Sequence, residues 1–270
     1  MLKTALLLSL ALLPALAGAA ALLVERADGS HRYSSAELLA NPAVRTLEIP
    51  ADVAYQRPMH YRALPLAELL EGVKPTDHLQ AVADDGFAAE LPAAPLLASQ
   101  GARAWLAVEE PDQPWPALGK AGKSAGPFYL VWTDPAQGRI GPEQWPYRVV
   151  KLRVLAPVAE RFPALRPDPT LAADDPVNHG FALFQKHCLA CHRLNGQGDA
   201  AFGPDLNLPY NPTEYFRADL LRRYLRDPQA LRRWPQARMP GFAEAALSEA
   251  ELDQLLAYLR HMAGRKAPAE

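Results

Sequence analysis

Cys188-Leu189-Ala190-Cys191-His192 holds both cysteines of the 270-residue chain, two thiols three positions apart with an imidazole directly behind them. Three positions are just under one helical turn, so in a helix both sulfurs stand on one side of the backbone. A structural zinc half-site of this kind needs two more ligands at similar local spacing, and there is no third cysteine. A thioredoxin-like redox pair belongs in a βαβ setting, whereas this motif follows a helical stripe and precedes a glycine-rich loop. A plain disulfide leaves the histidine without a role. The spacing fits covalent attachment of c-type haem, in which the two thiols bond the porphyrin vinyl groups and the following imidazole lies under the iron.

Working outward from the motif, the flanking sequence reads as helical. Asp175 as N-cap and Pro176 at the first helical position open a helix whose apolar residues Val177, Phe181 and Phe184 fall at i, i+4 and i+7 and lead into Cys188. Asn211, Pro212 and Glu214 signal a second helix start, with Leu220, Leu221, Tyr224 and Leu225 following before Asp227-Pro228 stops it. Ser248 and Glu251 form a capping box, with Leu247 and Leu252 placed as a hydrophobic staple. Leu252, Leu255, Leu256 and Leu259 give the last helix one apolar face, ended by Gly264.

Residues 175–264 resemble a class I c-type cytochrome domain, an all-α fold. Gly180 and Phe184 stand where that family has a paired glycine and aromatic crossing the C-terminal helix, and Tyr258 stands at the partner aromatic. Gly203-Pro204-Asp205-Leu206 resembles the family's G-P-x-L loop, which implies that the Pro204 carbonyl accepts the Nδ1 proton of His192 and fixes its tautomer. Arg238-Met239-Pro240-Gly241 resembles the axial Met-Pro loop, so the resemblance implies iron held by His192 and Met239. A thioether is a soft neutral donor that raises the potential relative to two histidines. Of the other methionines, Met1 lies at the N-terminus, Met59 far upstream and Met262 in the last helix. His179 and His187 read as ordinary surface or helix histidines. Arg222, Arg223, Arg226, Arg232, Arg233 and Arg238 read as a solvated face. The other reading is that one or two of them neutralise haem propionates, with Trp234 or Tyr210 donating a hydrogen bond. Such a basic face could also steer an acidic partner.

The N-terminal part is of another kind. Residues 4–175 carry a net charge of −5 and residues 176–270 a net charge of +2, a split hidden in the whole-chain −2. That near-neutral balance argues against a nucleic-acid binder. Lys3, the apolar run 5–13 and small residues through Ala20 have the pattern of a signal peptide over residues 1–20, cleaved after Ala17 or Ala19. The competing reading is an uncleaved anchor, because residues 5–24 are uncharged and about 20 residues can span a bilayer. Periplasmic export follows from the first reading, and membrane contact only from the second.

Residues 21–157 read as an α+β domain with a mixed sheet, and 158–174 as a proline-rich, semi-rigid linker. A short helix is expected over 64–70, a hairpin around Asp84-Asp85-Gly86, a one- or two-turn helix within 92–99, and strands at 104–108, 128–132 and 147–155. Residues 64–155 resemble the core of the oxidoreductase molybdopterin-binding domain of the sulfite oxidase superfamily. The matching pieces are Leu64-Pro65-Leu66, Asp85-Gly86-Phe87, Trp105-Leu106-Ala107-Val108, Gly126-Pro127-Phe128-Tyr129-Leu130-Val131-Trp132 and Val150-Lys151-Leu152-Arg153-Val154. That family ligates molybdenum through a cysteine, and both cysteines here belong to the motif, so one covalent haem c is expected and molybdopterin is not. Trp105, Trp115, Trp132 and Trp145 read as packing. The resulting expectation is an exported monohaem one-electron carrier, not an enzyme, that exchanges electrons with redox proteins and uses its first domain for docking. The alternatives are a haem-bearing subunit of a periplasmic oxidoreductase and a haem-based sensor.

Overall fold

The computed structural model describes residues 20–119, 122–200 and 202–268, so the expected leader, apart from Ala20, lies outside the described residues. In chain order the first half contains β1 (Ala21–Arg26), β2 (Gly29–Ser34), α1 (Ser35–Ala40), β3 (Arg45–Ile49), β4 (Met59–Pro65), β5 (His78–Ala83), β6 (Ala88–Pro92), α2 (Ala93–Leu96), β7 (Arg103–Val108), β8 (Phe128–Thr133) and β9 (Val149–Leu155). They form two sheets, ordered β2-β1-β9-β5-β6 and β3-β4-β7-β8. Pairing is antiparallel except between β1 and β9, which run parallel. One apolar core includes Leu22, Leu79, Leu106, Leu130 and Trp132. Trp105 and Trp145 are buried in it and Trp115 packs against it, as their packing role requires.

The expected hairpin joins β5 and β6, with Gly86 at φ 92°, a left-handed turn conformation that glycine takes without steric cost. The helix expected over 64–70 is shorter than that. Pairing to β7 holds residues 63–65 extended through Pro65, and only Leu66–Leu69 closes into a 3-10 turn.

The second half contains α3 (Val158–Arg161), α4 (Pro176–His187), α5 (Pro212–Tyr215), α6 (Ala218–Arg226), α7 (Pro228–Leu231) and α8 (Glu249–Ala263). The Asp175 carboxylate accepts from Val177 N, and Ser248 with Glu251 closes the capping box of α8. The single helix read after Asn211 is divided: Phe216 turns to extended backbone (ψ 141°) and its ring stacks back on Tyr224 at 5.4 Å. Helices α4 and α8 cross at Gly180, where a Cβ would meet the Gln254 carbonyl oxygen at 2.1 Å. Tyr258 lies beside that crossing, 5.3 Å from Phe184 and 5.5 Å from Phe181, and its hydroxyl donates to the Leu165 carbonyl at 2.7 Å.

Residues 158–174 do more than connect. Val158 and Leu165 are buried in the helical core, so this proline-rich stretch is also part of that core's wall. Three buried asparagines then tie the long loop after the motif to the end of α8. The side-chain amides of Asn195, Asn207 and Asn211 donate to the carbonyls of Arg265, Met262 and Leu259 at 2.9, 2.7 and 3.0 Å.

A polar latch joins the two halves. The Arg161 guanidinium donates to Asp199 at 2.8 Å and to Glu90 at 2.7 Å, and the Gln80 amide donates to both carboxylates at 2.6 Å. His78 lies 2.6 Å from Glu90, and Arg153 donates to Gln80 at 2.8 Å. Asp199 belongs to the loop after the motif, so the sheet of the first domain holds that loop directly. No helix among the described residues is long and apolar enough to cross a membrane.

Candidate functional site

Helix α4 ends at Cys188, and the backbone makes one further turn. Cys188 N donates to Phe184 O at 2.9 Å, Cys191 N to Cys188 O at 3.1 Å and His192 N to Cys188 O at 2.9 Å. This turn places the two cysteines and the histidine in succession at the end of a helix whose inner face, Gly180, Leu183, Phe184 and His187, is buried. Both thiols are free. Burial pushes both thiols up, Cys188 beyond the range in which a thiol ionises in water and Cys191 to about 11. The Glu143 carboxylate of the first domain adds to both shifts, and Asp85 adds to that of Cys191. They are therefore protonated near neutral pH.

His192 is positioned by the Gly203-Pro204 loop. Its Nδ1 lies 2.7 Å from the Pro204 carbonyl oxygen, a pure acceptor, so Nδ1 carries the proton and donates. The Nε2 lone pair is left for a metal. Burial lowers the His192 pKa, with the Pro204 hydrogen bond opposing, and this favours the neutral, ligating form. Gly203 N donates to Cys191 O at 2.9 Å, and a Cβ at Gly203 would stand 2.2 Å from His192 Cε1. Only glycine lets the loop lie on the imidazole.

Met239 is half-buried and packs against the helical core. Its loop is fastened from α6: Phe242 N donates to Leu225 O at 3.0 Å, and Arg226 donates to the Phe242 carbonyl at 2.9 Å and to the Leu247 carbonyl. Gly241 presses against Arg226, where a Cβ would meet the carbonyl oxygen at 2.3 Å. Met59 and Met262 are buried in the two cores. The arginine group thus divides. Arg226 anchors the loop and pairs with Glu249, and Arg222 pairs with Glu249 and Asp253 on α8. Arg232 lies over the exposed Trp234 ring, 4.6 Å from its centroid.

His179 is exposed, as expected, but His187 is not the ordinary histidine that its place beside Cys188 suggested. Its side chain is fully buried, 2.6 Å from Glu143 and edge-on to the Phe242 ring at 5.3 Å. Phe242 belongs to the Met239 loop and Glu143 to the first domain, so this ring touches both. No local signal announced it, since Glu143 lies 44 positions upstream.

Residues 177–263 match the family described as cytochrome c. The helical half carries a cytochrome c domain. No curated protein matches the chain. Among solved structures, one similar chain belongs to the sulfane dehydrogenase SoxCD from Paracoccus pantotrophus, at 18% identity over 53% of this chain and 40% of that one, with a TM-score of 0.35. This chain therefore spans well under two thirds of the length of that protein, and a likeness at this level assigns no fold family to the sheet domain. A cytochrome c domain implies covalently bound haem. The residues suit that group: two adjacent free thiols, an imidazole whose Nε2 faces away from its hydrogen-bond acceptor, and a thioether in an anchored loop. Phe202, Tyr210, Tyr215 and Trp234 also present large exposed rings between the motif and Met239, apolar surface of the kind a porphyrin would cover.

Proposed function

We propose that this protein is an exported, periplasmic monohaem c-type cytochrome that carries single electrons between redox proteins. Cys188 and Cys191 would hold the haem by thioether bonds, and His192 and Met239 would ligate its iron. The observation that carries the reading is the His192–Pro204 hydrogen bond with Gly203 against the ring, inside the turn that holds both thiols. When bound, haem supplies a one-electron couple between ferric and ferrous iron. The chain supplies the rest. Pro204 keeps the His192 proton on Nδ1, and Arg226 and Gly241 hold the Met239 loop in place.

With His192 and Met239 both given to the iron, no position would be left for substrate or a gaseous ligand, which favours a carrier over a sensor or an enzyme. The first domain is read as a docking scaffold on a sulfite-oxidase-like core. It has no cysteine to ligate molybdenum. Visible spectroscopy of the reduced protein tests this. A low-spin ferrous spectrum unchanged by carbon monoxide is the expected result, and a high-spin form that takes up carbon monoxide at once contradicts the assignment of Met239.

A further inference from the structure

We propose that Glu143 of the first domain and His187 of the cytochrome domain form a proton-binding pair that couples the haem's one-electron exchange to pH. The inference rests on the haem reading above. Glu143 sits in the 3-10 turn Pro142–Gln144, which faces the last turn of α4. Its Oε1 lies 2.6 Å from His187 Nδ1, and the two side chains are 6% and 0% exposed. The approach is close but not aligned. Among the described residues, the four polar atoms of this pair are the only buried side-chain polar atoms without a hydrogen-bond partner. A carboxylate and an imidazole that touch each other in the interior, with no other hydrogen-bond partner for either, can share a proton only between themselves, and such a pair calls for an explanation beyond packing.

The surroundings show why its charge would be felt. Cys188 follows His187 directly, and the Glu143 charge acts on both Cys188 and Cys191, the proposed attachment points. Asp85 acts on Cys191 from the β5–β6 turn. From α4, Lys186 faces Glu143 but donates to the Arg139 carbonyl at 2.7 Å, while the Arg139 guanidinium pairs with Glu251 of α8. From β6, Glu90 is committed to His78, Gln80 and Arg161. The Met239 loop presents Phe242, which brings no charge. The proton that can come and go at the pair is therefore the one shared by His187 and Glu143.

The balance is one electron and one proton. The pair would bind one proton from solvent at the imidazole for each electron that a reduced donor protein delivered to a bound haem, and would release it when that electron passed to an acceptor. Raising the pH strips that proton and leaves a bare carboxylate beside the attachment turn. A negative charge there favours the oxidised centre, so the potential falls as pH rises. In Glu143→Gln, a buried His187 without its carboxylate stays neutral. The potential should then lose its pH dependence and stay at the acid limit of the wild type.

The test is redox titration of the full-length holoprotein at an electrode between about pH 5 and pH 9, the span in which imidazoles titrate. Through its titration the wild-type reduction equilibrium should shift up to tenfold per pH unit, which for a one-electron couple is about 59 mV. Glu143→Gln should be flat and Glu143→Asp should recover the slope. A wild-type profile without slope, or a slope surviving in Glu143→Gln, overturns the proposal. Loosening of the domain contact alone would expose the centre to water and lower the potential, opposite in sign to the rise expected of Glu143→Gln at alkaline pH. Wild-type protein without haem bands overturns the functional reading itself, and shows it before any potential is measured.

Discussion

Met239→Ala is expected to lower the reduction potential by on the order of 0.1 V, within the roughly 0.8 V that axial ligation spans, and to open the iron to carbon monoxide. The physical reason is the loss of a soft donor that favours ferrous iron. The fold should survive, because Met239 is only half-buried and its loop is held by other contacts. Phe242 N and Gly241 still pack on α6, and Arg226 still bonds the Phe242 and Leu247 carbonyls. Potentiometry with and without carbon monoxide reads both effects. An unchanged potential together with an unchanged spectrum would remove Met239 from the iron and reopen the question of the sixth ligand.

The largest effect on stability is expected at Gly180. Intrinsic propensity favours alanine over glycine within a helix by about 1 kcal/mol. Packing says the reverse, because the added methyl would lie 2.1 Å from the Gln254 carbonyl and 2.6 Å from Tyr258 Cβ. A backbone oxygen in the middle of α8 cannot swing aside as a side chain can. Overpacking of this kind costs about 3 kcal/mol, so Gly180→Ala should destabilise the helical domain by roughly 2 kcal/mol net. Denaturant midpoints of the two holoproteins decide it. A stabilised variant would mean that the crossing of α4 and α8 is looser than described.

Much of the helical half was legible because its signals are local. The motif, the Asp175 and Ser248 caps, Gly180 with Tyr258, and Gly203-Pro204 beside His192 each act within one turn or at a single close approach. The structure places them as those signals required. The hairpin at Gly86 was readable for the same reason.

What could not be read is what depends on distant partners. Strand β1 was hidden because its apolar residues continue the leader's apolar run, and β2 because it is an exposed polar edge with no alternation to display. The asparagine ladder joins carbonyls 48 to 70 positions away, and nothing near Asn207 marks it as buried. The burial of His187 against Glu143 was illegible because its neighbours in sequence carry no sign of that partner. Residues 158–174 have a linker's composition, yet Val158 and Leu165 fill a core whose other walls are supplied by α4 and α8.

The central claim, a haem bonded to both cysteines, is tested most directly by the intact mass of the protein purified after export from a host that matures c-type cytochromes, measured under denaturing conditions. The expected result is one species heavier than the processed polypeptide by a single haem, with no thiol open to alkylation at Cys188 or Cys191. A polypeptide mass without haem, with both cysteines alkylated, would contradict it.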